Sequence, residues 1–132
     1  MTVIEWNDSF SVNVAEFDMQ HKKLVEILNE LGDAMKHGKG IDELGRIMNN
    51  LALYAAKHFE TEEMYFNRFK YPEAVNHRKE HATFLTKAAE FQYGLNNSVT
   101  LNAMHFLKHW LITHIQETDR KYSSFFNENG LS

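Results

Sequence analysis

Residues 42–69 read DELGRIMNNLALYAAKHFETEEMYFNRF, and the spacing of their apolar positions decides the fold class. Leu44, Ile47, Met48, Leu51, Tyr54 and Ala55 recur at intervals of three and four, the period of a helix that buries one stripe. His58, Glu62 and Tyr65 continue that stripe. A histidine and a glutamate four residues apart share one helix face, about one turn apart. On an exposed face such a pair is a weak contact; on a core face it needs a partner.

The same period continues on both sides of this segment. Upstream, Leu24, Leu28, Leu31 and Met35 predict a helix from about Asp18 to His37, stopped by Gly38-Lys39-Gly40, and His21 extends its stripe by one turn. Downstream, Tyr71-Pro72 breaks the chain, with Pro72 near the start of a third helix, where a missing N–H costs little. That helix carries His77, His81, Phe84, Leu85, Ala88 and Phe91 and fails at Gly94-Leu95-Asn96-Asn97. Asn97 or Ser98 would cap a fourth, with the stripe Leu101, Met104, Leu107, Leu111, His114, Thr118 and Tyr122, which frays near Asn129-Gly130. Ahead of the first helix, Phe10, Val12 and Val14 alternate with polar residues, so residues 1–17 should form an extended arm anchored by Trp6 and Phe17. Four long helices joined by short breaks predict an all-α protein: an antiparallel, up-down-up-down four-helix bundle over 18–128. The expected organisation is a single domain over 1–132.

Composition removes several function classes. The hydrophobic fraction of 43% and charged fraction of 24% are those of an ordinary globular domain. A net charge of −4, with basic residues scattered, gives no footprint for nucleic acid. The N-terminus lacks the basic and apolar regions of a signal peptide, and no stretch approaches the ~18–20 apolar residues of a membrane span. No membrane insertion is expected, and the cytoplasm is the default location. With no cysteine, any metal must be held by nitrogen and oxygen.

The polar donors are not scattered. His21 is early in helix one, His58 and Glu62 late in helix two, His77 and His81 early in helix three, and His114 and Asp119 late in helix four. In an up-down-up-down bundle these positions meet at one end. Burying seven such groups unpartnered would cost on the order of several kcal/mol each, far beyond a domain's marginal stability. A metal centre removes that cost. Asp119 is the weakest step: five residues of ideal helix turn it ~140° from His114, so it needs a wide stripe or a π-bulge. Seven protein ligands are too many for one ordinary site, and two carboxylates able to bridge favour a metal pair.

Asp18-Met19-Gln20-His21, His58-Phe59-Glu60-Thr61-Glu62-Glu63, His77 with His81, and Trp110-Leu111-Ile112-Thr113-His114-Ile115 resemble the hemerythrins, and among them the bacteriohemerythrins. The resemblance spans essentially the whole chain, including the Trp6-containing arm. It implies two iron ions in a non-haem, oxo- or hydroxo-bridged di-iron centre that binds dioxygen reversibly, for storage, transport or scavenging. Carried over residue by residue, it puts His77, His81 and His114 on a six-coordinate iron and His21 and His58 on a five-coordinate one. Glu62 and Asp119 would bridge the two. It also implies an apolar oxygen pocket at Leu24, Phe59, Trp110, Leu111 and Ile115, residues that would pack a core in any case.

His37, His105 and His109 match no ligand position; the last two would form an exposed i,i+4 pair. Asp18, Glu63, Glu80 and Glu117 are candidates to accept ligand imidazole N–H groups. The partner expected is dioxygen, with a signalling domain or an oxygen-consuming enzyme as a further one. The alternative function is an O2- or redox-sensing domain of a signalling or chemotaxis protein. An enzyme is the least favoured reading and no catalytic residue is assigned. Oxygen-activating bundles carry Glu-x-x-His repeats and more carboxylates.

Overall fold

The computed structural model describes residues 3–94 and 97–132, with the side chains of 97–100 outside that description. Its long helices are Ala15–Lys36 (α1), Ile41–Phe69 (α2), Ala74–Tyr93 (α3) and Asn97–Thr113 (α4). A π turn at His114–Thr118 and a 3₁₀ turn at Asp119–Tyr122 follow, then a short helix, Ser123–Glu128 (α5). Helix α1 packs against α2 and α4, α2 against α3, and α3 against α4, so the four form an antiparallel bundle. Among the described residues no helix is long and apolar enough to cross a membrane.

The helix stops are local chemistry. After α1, Gly38 takes φ 66, and the Lys39 N–H reaches back to the Ala34 carbonyl at 2.9 Å. This six-to-one bond of a left-handed cap satisfies a carbonyl that the helix end would orphan. After α2 the same closure uses a non-glycine residue: Lys70 takes φ 59 and the Tyr71 N–H bonds the Phe66 carbonyl at 2.9 Å. The Tyr71 and Phe66 rings, 5.0 Å apart, add the apolar contact that commonly accompanies this cap. Pro72 lies in the turn before α3, not on its first helical residue.

The core follows the stripes with three corrections. Leu101, expected on the stripe of α4, is 51% exposed. The arm ends at Val14, not at residue 17, because α1 begins at Ala15 and makes Phe17 one of its buried residues. The fourth helix is not continuous to Tyr122: it ends at Thr113 and changes its winding. Met35, Tyr54, Leu85 and Phe91 line the rim of the core, half-buried. Helix α4 begins at Asn97, and the side chains of Asn97 and Ser98, proposed as its cap, lie with the break at Leu95-Asn96 outside the described part of the structure.

The arm is largely extended, with a short 3₁₀ turn at Asp8–Phe10, and Phe10, Val12 and Val14 are buried as their alternation predicts. Asp18 holds its end, accepting the Val12 N–H at 2.8 Å and the Ser11 hydroxyl at 2.6 Å. Asn29 on α1 holds its start: Oδ1 accepts the Val3 and Ile4 N–H groups, and Nδ2 donates to the Ile4 carbonyl. Asn29→Ala should therefore release the arm and cost about 3 kcal/mol, since it removes three hydrogen bonds and each contributes about 1 net. Urea melts and limited proteolysis check this; unchanged midpoint and cleavage would remove Asn29 from that role.

Candidate metal centre

Four helical segments deliver seven polar side chains to one point. His21 comes from α1, His58 and Glu62 from α2, His77 and His81 from α3, and His114 and Asp119 from the two ends of the π turn. None is more than 2% exposed. Their ligand-type atoms form two overlapping sets, each within 4.8 Å: Glu62, His77, His81, His114 and Asp119 in one, and His21, His58, Glu62 and Asp119 in the other.

The two carboxylates divide their oxygens between the sets. Asp119 Oδ1 lies 2.8 Å from His77 Nε2 and 2.9 Å from His114 Nε2, while Oδ2 lies 3.0 Å from His21 Nε2. Glu62 Oε1 lies 3.1 Å from His81 Nε2 and 3.6 Å from His77 Nε2, while Oε2 faces His58 and His21 at 3.4 and 3.7 Å. Three histidines and two oxygens thus gather at one position, and two histidines and two oxygens at the other.

The π turn resolves the angular problem posed by Asp119. Its backbone N–H bonds the His114 carbonyl, an i to i+5 link in place of i to i+4. The extra residue in the turn rotates Asp119 back onto the face of His114. A regular helix would point it elsewhere.

A cation suits this donor set. The Nε2 atoms of all five histidines, Glu62 Oε1 and both Asp119 oxygens are buried without a hydrogen bond, although they converge. Such atoms are costly unless something positive gathers them. In the metal-free protein, protons do part of that work. Burial pushes the His21 imidazolium down, but Asp119 and Glu62 beside it outweigh this and raise its pKa to about 9. The same competition raises His77 to about 10. Burial pushes Glu62 and Asp119 up, but the surrounding imidazoles hold both well below the carboxylate range. His58, for which burial prevails, falls below its ordinary value.

Two consequences are measurable. Loading metal at pH 7 must displace the protons on His21 and His77, so affinity should fall with pH and a pH-stat should record proton release. Both histidines lie above the unfolded value of 6.5, so their contribution to metal-free stability is full below pH 6.5 and is lost as pH rises through about 9 to 10. The depressed carboxylates contribute above their ordinary range and lose that contribution in acid. The melting temperature of chelator-treated protein should decline between pH 7 and 10; a flat profile would contradict the assignment.

Around the seven lies a set of hydrogen bonds to the outer imidazole nitrogens. His81 Nδ1 donates to Glu63 Oε2 and His114 Nδ1 to Glu80 Oε1, both at 2.8 Å. Thr118 in the π turn also donates to Glu80. His58 Nδ1 donates to Gln20 Oε1 at 2.5 Å, and the buried Tyr122 hydroxyl donates to Glu62 Oε2 at 2.5 Å. Glu63 and Glu80 were among the sequence candidates for this role. Asp18 instead holds the arm, and Glu117 is exposed. Gln20 and Tyr122 escaped the sequence reading: Gln20 is 38 positions from His58, on another helix, and Tyr122 reads as one more apolar stripe residue.

The apolar candidates surround the imidazoles. Phe59 stacks on His81 at 3.9 Å and Trp110 on His114 at 4.3 Å. Leu24, Leu111 and Ile115 are buried, whereas Trp110 is half-buried. A cavity of about 60 Å³ reaches His77 between Tyr71, Glu73, Glu80, Thr118 and Lys121, room for a water molecule. His37, His105 and His109 are exposed and belong to neither donor set.

Comparison with known proteins agrees with this geometry. A bacteriohemerythrin of Clostridium acetobutylicum is 30% identical over 125 residues, covering 89% of this chain and 96% of its own. A bacteriohemerythrin of Methylococcus capsulatus is 28% identical, covering 92% and 95%. The crystal structure of wild-type hemerythrin superposes with a TM-score of 0.81 at 27% identity, covering 92% of this chain and 95% of that one. Residues 12–125 match the family model of the hemerythrin HHE cation binding domain, and the chain belongs to the hemerythrin family.

Proposed function

We propose that this chain holds two iron ions and binds dioxygen reversibly, for storage, transport or scavenging. The observation that carries the reading is the division of the Glu62 and Asp119 oxygens between a group of three histidines and a group of two. In this reading His77, His81 and His114 hold one ion, His21 and His58 hold the other, and both carboxylates are shared. The two-histidine position has one protein donor fewer, so it is the one with room for a small exogenous ligand. Two ferrous ions, when bound, supply the redox capacity for taking up dioxygen and returning it.

The protein's own part is to fix and to shield. Stacking by Phe59 and Trp110 fixes the planes of His81 and His114. Leu24, one turn beyond His21, and Leu111, one turn before His114, join Ile115 in an apolar layer that excludes water and protons. A carrier needs that exclusion, and we read the chain as a carrier and not a catalyst. We further read residues 1–132 as one domain, working in the cytoplasm without nucleic acid as a partner.

One observation favours a sensing role as the second reading. Gln116 in the π turn donates to the Ser9 hydroxyl at 3.0 Å, and Arg120 beside it donates to the Ser9 carbonyl. The segment that carries His114 and Asp119 is thereby tied to the arm, a route by which the centre's state could reach a neighbouring domain.

Cycling the reduced, iron-loaded protein between oxygen and argon discriminates these readings. A visible band that appears with oxygen and fades under argon through repeated cycles is expected. Immediate, irreversible oxidation would exclude the carrier.

A further inference from the structure

The outer hydrogen bonds are unequal on the two sides of the centre. On the three-histidine side, two ring N–H groups meet carboxylates, Glu63 and Glu80. On the two-histidine side, His58 meets the neutral amide of Gln20; one ring Nδ1 on each side, that of His21 here and that of His77 there, has no hydrogen-bond partner among the described residues. The shared glutamate repeats the bias. Tyr122 donates to Glu62 Oε2, the oxygen nearer His58 and His21, whereas Oε1, nearer His81 and His77, receives no hydrogen bond.

These contacts act in one direction. A carboxylate accepting an imidazole N–H draws its proton away and makes the opposite nitrogen a stronger donor to metal; an amide does so much less. A hydroxyl donating to a carboxylate oxygen drains charge from that oxygen. Arg78, 3.5 Å from Glu63, offsets part of one carboxylate's effect; Glu80 accepts from the neutral Thr118 hydroxyl.

We propose that Gln20 and Tyr122 make the two-histidine position the electron-poor member of the pair, holding its iron ferrous against loss of an electron. The inference rests on the dioxygen-binding reading above. Both act through another residue, Gln20 through His58 and Tyr122 through Glu62, and so are positioning residues. A carrier benefits because the ion with the open position resists net oxidation, while the other stays electron-rich enough to share in binding. Oxidation here is loss of one electron per ion to an external acceptor, with no bond to the protein broken.

The test is a mediated redox titration of iron-loaded protein, following the optical spectrum and iron content. Gln20→Glu keeps a hydrogen-bond acceptor for His58 but makes it anionic, which separates tuning from simple support of the ring. Tyr122→Phe keeps the ring and removes the donor, and serves if the Gln20 variant fails to load. Both should shift the couple toward ferric by about tenfold at a fixed potential, about 59 mV for one electron. Glu80→Gln should shift it the other way. Two irons per chain with unmoved potentials, or all shifts of one sign, would overturn the inference alone. Fewer than two irons in the unsubstituted protein would overturn the dioxygen reading and this inference with it.

Discussion

Glu62→Ala is expected to abolish the paired centre, leaving one loosely held iron per chain or none. Glu62 belongs to both donor sets, with Oε1 toward His81 and Oε2 toward His58. Its loss takes a donor from each position and half of what joins them. Loss of an outer hydrogen-bond partner alone typically costs ~10–100-fold in metal affinity, and loss of a shared ligand should exceed that. The substitution also strands the Tyr122 hydroxyl, which is fully buried. Metal analysis after desalting reads the outcome. His58→Ala is the milder companion, since it touches only the two-histidine position. Retention of both ions by Glu62→Ala would remove that residue from the ligand set.

Leu111→Ala should hasten oxidation of the loaded protein by about tenfold or more and destabilise it by ~2–5 kcal/mol, the usual range for a buried leucine truncated to alanine. Leu111 is buried one turn before His114 and flanked by Trp110, which stacks on that imidazole. Truncation opens space beside the polar centre, where water can find partners and bring the protons that the layer excludes. The half-buried edge of Trp110 makes this side of the layer the thin one. The decay of the oxygenated spectrum measures the rate, and a urea melt of the metal-free protein measures stability separately. Lost stability with an unchanged rate would leave Leu111 a core residue and withdraw the pocket assignment.

Much of this was legible because the helix period speaks for both packing and chemistry. In α2 a single stripe runs from Leu44 through Ala55 to His58 and Glu62, so one pattern fixed the helix and pointed its donors inward. Chain direction then sufficed to bring donors from four segments to one end. What stayed hidden depends on departures from that period or on contacts between helices. The five-residue spacing of Asp119 from His114 left a wide stripe and a π-bulge both open, and because a π turn has no composition of its own only the structure selects it. Leu101 fits the stripe of α4 yet faces solvent. Asp18 matched the profile of an imidazole acceptor, but the nearby Val12 N–H and Ser11 hydroxyl occupy it. No spacing rule joins Gln20 to His58, because their contact depends on how α1 and α2 cross.

The most direct measurement of the central claim is iron titration of the metal-free protein, with magnetic characterisation of the oxidised product. Two shared carboxylates predict saturation at two irons per chain and antiferromagnetic coupling between the ferric ions. Saturation at one iron, or two magnetically independent ions, would contradict the assignment of Glu62 and Asp119 as the groups that join the pair.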